Sequence, residues 1–227
     1  MAPHSPTQPS RRAVTRGLGW SVPAVVAAAT APMAAASPVD PDARYSFVGT
    51  AQAVRDCGTR NGVHITNTQP SGTDPAGFAI VNDPSLAGGW SPVTSVTLTE
   101  VLFTVSIRSH LVTTAQNPFT IHSSGENWEF VQRVSERLNG ADYFTYSFRF
   151  TGPLQGSSSR SAEETSAPPA AWPGSSFDAT AARGNGFNCS PNMQGREVRI
   201  GYKASGSTGN GQTVSYGPAH QWITMTV

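Results

Sequence analysis

The chain has 227 residues, and its 15 Lys and Arg against 14 Asp and Glu give a formal charge of +1 at neutral pH. So even a balance leaves no electrostatic footprint for nucleic acid or an anionic membrane. With 22 Gly, 18 Pro and only 13% charged residues, the composition favours short strands and turns over long amphipathic helices.

Residues 1–36 read as a cleavable export signal of the twin-arginine type. Ser10-Arg11-Arg12-Ala13-Val14-Thr15-Arg16 forms a cationic head with two adjacent arginines. Gly17 to Met33 is a weakly apolar run, and Ala34-Ala35-Ala36 before Ser37 has the small-x-small pattern of a cleavage site. Pro23 and Pro32 interrupt the run, and alanine dominates it, whereas a spanning helix needs about 20 strongly apolar residues. Cleavage between Ala36 and Ser37 leaves residues 37–227 as one secreted domain, with no membrane span, and removal of Arg11, Arg12 and Arg16 turns its formal charge to −2.

In that domain strand-like runs alternate with turn clusters, which predicts an all-β sandwich or barrel. Tyr45 to Val48, Gly62 to Thr66 and Gly77 to Val81 are short candidate strands, the last two separated by a turn-rich segment at 69–75. From Val93 to Ile107, Val96 and Leu98 share one parity and Val101, Phe103, Val105 and Ile107 the other. Side chains alternate faces with period two, so the phase change at Thr99-Glu100 implies a bulge or a crossing between sheets. Trp128 to Leu138 fits two templates: a strand turning at Asn139-Gly140, or a helix capped by Gly140. The hairpin is the favoured reading, because Phe144, Tyr146, Phe148 and Phe150 alternate so clearly as a half-buried strand just after it. The Ser/Ala/Pro-rich stretch 156–176 reads as a long surface loop or two short edge strands. Strands are expected over Glu197 to Lys203 and Gln221 to Val227, with a turn-rich segment from Ser205 to Gln212 between them.

Cys57 and Cys189 are the two cysteines. In an oxidising compartment an isolated pair predicts one disulfide, and neither cysteine has the short-range partners of a metal site.

The leader, from Ser10-Arg11-Arg12 through Gly19-Trp20-Ser21-Val22-Pro23 to its Ala-rich end, resembles those of many exported actinobacterial proteins. Thr145-Tyr146-Ser147-Phe148 through Gly152-Pro153-Leu154-Gln155-Gly156 is similar to strand-and-turn patterns in their mature domains. The resemblance implies an immunoglobulin-like antiparallel β-sandwich and supplies no catalytic residues.

Catalytic signatures are missing from the sequence. No G-x-S-x-G or Gly-Asp-Ser-Gly occurs, so neither a nucleophile elbow nor a trypsin-like serine loop is encoded. His64, His110, His122 and His220 stand apart, without H-x-H or H-E-x-x-H spacing, and no metal or other cofactor is expected. His64, between Val63 and Ile65, is expected to point outward from a strand. Glu100, Glu126, Glu129 and the Glu163-Glu164 pair read as solvated surface charge rather than the paired acids of a glycosidase. Gly184-Asn185-Gly186 and Gly209-Asn210-Gly211 lack the strand-to-helix context and lysine of a phosphate loop. Trp90 and Trp172 lie in loop-like sequence, where each either stacks on a ligand or tucks over the sandwich edge; burial is the favoured reading.

The expectation is a secreted or envelope-associated protein that binds an extracellular protein or a cell-wall glycan without catalysis. The alternative is a carbohydrate-binding module using Trp90, Trp172 or an aromatic sheet face. Less favoured is a hydrolase assembled from distant residues such as His64, Glu100 and Asp56.

Overall fold

The computed structural model describes residues 45–67, 77–82, 95–160, 169–190, 195–209, 211 and 213–226. The predicted export signal with Arg11 and Arg12, the predicted cleavage junction Ala36/Ser37, the predicted turn at 69–75, Trp90 and Glu163-Glu164 lie outside them. Among the described residues the only helical elements are two 3-10 turns, Ser109–Leu111 and Ser123–Gly125; the rest is strand and loop.

The largest sheet runs β13 (Thr213–Thr224), β12 (Glu197–Thr208), β5 (Ser95–Arg108), β8 (Ala141–Phe150) and β7 (Trp128–Leu138), and β9 (Gln155–Ser157) pairs with the start of β5. A four-stranded sheet runs β2 (Gln52–Asp56), β3 (Gly62–Thr66), β11 (Asp178–Ala182) and β6 (Phe119–Ile121). A smaller one joins β1 (Tyr45–Gly49), β4 (Phe78–Asn82) and β10 (Ser159–Arg160), whose contact with β4 is parallel while the other ladders are antiparallel. The expected all-β sandwich of packed, mainly antiparallel sheets is present.

The inward parities meet in one core. Val63, Ile65, Ala179 and Ala181 from the four-stranded sheet and Val105, Ile107 and Phe148 from the large one are all 0% exposed. Phe119 of β6 sets its ring edge-on to Tyr146 and Phe148 of β8, at 5.0 and 5.1 Å. Phe177 reaches Phe103 at 4.8 Å from the loop before β11. Fully burying a side chain of this size contributes about 1.5–3 kcal/mol, so these contacts hold the layers together.

Two local devices foreseen in the sequence are in place. In β5, Leu98 pairs with Gly206 and Glu100 with Ser205, so Thr99 is the extra residue of a bulge and both parities of the strand stay buried. A Cβ on Gly206 would lie 2.4 Å from the Thr97 carbonyl oxygen, so the bulge requires glycine there. Residues 128–138 form a strand, and the β7–β8 hairpin closes through Asn139 and Gly140 at φ +49° and +77°. Those paired positive values define the type I′ turn that matches strand twist, and the helix alternative falls.

Two expectations need correction. β12 continues through Thr208 and β13 begins at Thr213, so the first half of the predicted turn at 205–212, Ser205 to Thr208, is strand. The residues look turn-like because they are Gly, Ser and Thr, yet Ala204, Gly206 and Thr208 face inward and are buried. The stretch 156–176 does contribute the short β9 and β10, but its described end is not a surface loop: Trp172 and Ser175 are 2% and 1% exposed.

Cys57, just after β2, is bonded to Cys189 over a separation of 132 residues. The neighbouring Arg55 is 2% exposed and its guanidinium donates to the Ser190 carbonyl, tying β2 to the loop that carries Cys189.

Candidate functional site

The outer face of the four-stranded sheet gathers polar side chains. β11 lies between β3 and β6, with Thr180 opposite His64 on one side and Thr120 on the other. Because Ala179 and Ala181 point into the core, Asp178 and Thr180 must point out, and Val63 and Ile65 fix His64 outward in the same way. The 3-10 turn at Ser123–Gly125 then folds onto the start of β11. A Cβ on Gly125 would sit 2.7 Å from the Asp178 backbone nitrogen, so glycine allows the close approach that brings Ser124 to the carboxylate.

Asp178 is the hub. Its Oδ2 accepts from Ser124 Oγ at 2.6 Å, and its Oδ1 faces His64 Nε2 at 2.7 Å and Arg60 Nη1 at 3.2 Å. Burial pushes the Asp178 carboxyl up, but the Ser124 and His64 hydrogen bonds, with the charges of His64 and Arg60, outweigh it and hold its pKa below the ordinary value. Beside this hub, His122 Nε2 lies 2.9 Å from Thr180 Oγ1, and the two imidazoles stand edge to face at 6.1 Å.

Next to the hub opens a concavity of about 370 Å³. The β2–β3 turn supplies Thr59, Arg60 and Asn61, β6 and the residue after it supply Thr120 and His122, and β11 and its end supply Thr180, Ala182 and Arg183. Arg183 Nη1 donates to Asn61 Oδ1 at 3.3 Å across the rim. All the lining side chains except Ala182 are polar, and none is acidic or a Phe, Tyr or Trp ring.

Ser, His and Asp meet here, but in an order that does not activate a nucleophile. Ser124 donates to the Asp178 carboxylate rather than to an imidazole, which is not the serine–imidazole–carboxylate order of a catalytic triad. His64, Glu100 and Asp56 are not brought together. Glu100 pairs with Lys203 at 2.9 Å on the large sheet, Asp56 accepts from the Gly58 backbone at 2.8 Å, and the acidic partner of His64 is Asp178. Among the described residues no group of three or more His, Cys, Asp or Glu is arranged to hold a metal ion.

Trp172 is a core residue and offers no ligand surface. Its ring stacks near Phe78 at 6.0 Å, its Nε1 donates to the Pro153 carbonyl at 2.6 Å, and a Cβ on Gly156 would collide with it. Among the described residues the exposed tryptophan is Trp222 of β13, 39% accessible on the outer face of the large sheet and 5.6 Å from Tyr143. Its neighbours on that face satisfy one another: Arg199 binds Glu136 at 2.6 Å and Ser106 at 3.3 Å, and Thr145 donates to Ser106 at 2.7 Å. Partial burial and the Arg199 charge lower the pKa of His220, against a smaller opposing effect of Glu136.

Compared with known proteins, the chain matches no protein family, no curated protein and no solved structure. Its fold defines an all-β, disulfide-closed sandwich, and any function has to be argued from its own surfaces.

Proposed function

We propose that this is a secreted or envelope-associated binding protein, exported by the twin-arginine signal in residues 1–36, which engages an extracellular protein or a cell-wall glycan without catalysis. The observation that carries the reading is the concavity on the four-stranded sheet. It offers converging hydrogen-bond donors on a β-sheet scaffold, with the nearby Ser124 bonded to a carboxylate rather than to an imidazole. A carbohydrate-binding module is the second reading, favoured by Trp222, whose exposed indole could stack on a sugar ring. Co-sedimentation of the purified protein with isolated envelopes, before and after protease stripping, tests both. Binding lost on stripping identifies a protein partner, binding that survives identifies a glycan, and no binding in either case refutes the proposal.

A further inference from the structure

We infer that the concavity beside Asp178 binds an oxyanion, carboxylate or phosphate, carried on a hydroxylated ligand such as an acidic glycan; this rests on the binding function proposed above and names its ligand class. The charge balance of the lining is the first argument. Arg183 and Arg60 are the cations of the lining, Arg60 being ion-paired with Asp178, and no carboxylate lines the cavity. Asp178, beside the cavity, is already engaged by Ser124, His64 and Arg60, which leaves Arg183 as the cation without an acidic partner among the described residues. Arg183 is the second argument. Its hydrogen-bond partner among the described residues is the neutral Asn61 amide oxygen, and no described carboxylate lies within ion-pair distance of it. An arginine fork left with only a neutral partner at the rim is suited to bidentate capture of a planar or tetrahedral oxyanion.

The rest of the lining narrows the class. Without Phe, Tyr or Trp it has no platform for the apolar face of a neutral sugar, whereas the Thr59 and Thr120 hydroxyls and Asn61 suit ligand hydroxyl groups. Its size, about 370 Å³, is at the low end of ligand pockets, roughly 300–1,000 Å³. That fits a terminal residue or short repeat rather than a long stretch of polymer.

The test is calorimetric titration of the disulfide-bonded protein, expressed from the full chain, with trigalacturonate, a glycerol phosphate trimer and neutral maltotriose. Binding of either acidic probe, with maltotriose silent, is expected; the arm that responds says whether the oxyanion is a carboxylate or a phosphate. Arg183→Gln should weaken that binding by at least about tenfold, the loss of one charge-assisted hydrogen bond, with the melting temperature kept. Thr120→Val serves as a second variant, since its side chain lies on the outer face, and should also weaken binding. Silence from both acidic probes, equal binding of maltotriose, or unchanged affinity in both variants overturns the inference. The envelope assay separates the two proposals. If Arg183→Gln sediments with envelopes as the parent does, the pocket's role falls and the binding function stands. If the parent binds an acidic probe but no envelope, the pocket stands and the envelope reading falls.

Discussion

Replacing Asp178 with asparagine isolates the hub of the candidate site. The carboxylate is mostly shielded, with its side chain 14% exposed, and it accepts from Ser124 at 2.6 Å and from His64 at 2.7 Å. A hydrogen bond to a charged group contributes about 1.5–3 kcal/mol. The amide of the variant keeps one acceptor oxygen and turns an NH₂ toward one of the former donors, and the Ser124 hydroxyl can rotate to accept from it. The expected net loss is therefore that of about one such bond, ~2 kcal/mol. In a domain of this size that lowers the melting temperature by about 4–8 °C. The sign of the pH dependence follows from the depressed pKa of Asp178. Its contribution is fully present above the unfolded-state value of about 3.9 and is lost as pH falls through the lower folded value. Thermal or urea denaturation of both proteins, disulfide intact, should show the full gap at neutral pH and a smaller one in acid, shrinking as pH falls through the depressed folded value. A gap of equal size at both pH values would mean that Asp178 acts through shape rather than charge and would refute the argument.

Breaking the Cys57–Cys189 bridge by a double serine substitution should lower stability by up to about 5 kcal/mol on the chain-entropy model, read as a shift in denaturant midpoint. An unchanged midpoint would show that the crosslink is inert. Trp172→Ala should cost about 3–5 kcal/mol, as expected for a buried aromatic; a variant that melts like the parent would contradict its burial. Asn67 is 0% exposed, and its Oδ1 accepts from the Phe177 backbone at 2.6 Å, so Asn67→Ala should destabilise by about 1–3 kcal/mol through an orphaned buried donor. Loss of protection of the Phe177 amide in hydrogen exchange is the matching readout. Gly140→Ala places a side chain in open space but at φ +77°, so a cost of about 1 kcal/mol should come from backbone strain alone.

The parts of the fold legible in the sequence are those with unbroken period-two patterns. β3, β5 and β8 stand out because each alternates large apolar residues with polar ones. The type I′ hairpin is legible because Asn-Gly has few other uses between two such runs. β2, β6 and β11 are harder to see. β6 has three residues, and β11 is Asp-Ala-Thr-Ala-Ala, whose inward residues are only alanines. Small residues suffice there because Phe119, Phe148 and Phe177 fill the space between the layers. Missing β11 means missing the site, since Asp178 and Thr180 join His64 only through the β3–β11 register. His64 was readable as an outward residue, but nothing in a single sequence links it to a residue 114 positions away. Trp222 was hidden for a related reason: its exposure depends on which face of β13 lies outside, and that is set by pairing with β12.

The position of β5 between β8 and β12 also has a consequence in time. The partners of β5 follow it in the sequence, β8 and the short β9 soon after and β12, Glu197–Thr208, only after a long interval. At about 5–20 residues per second, the chain between Arg108 and Glu197 takes roughly 5–20 seconds to synthesise. Through that interval one edge of the 14-residue β5 has no native partner to pair with, and an unpaired strand edge is a template for association with other chains. Yield of soluble protein should therefore respond more to whatever shields the nascent chain during this delay than to changes in the finished core.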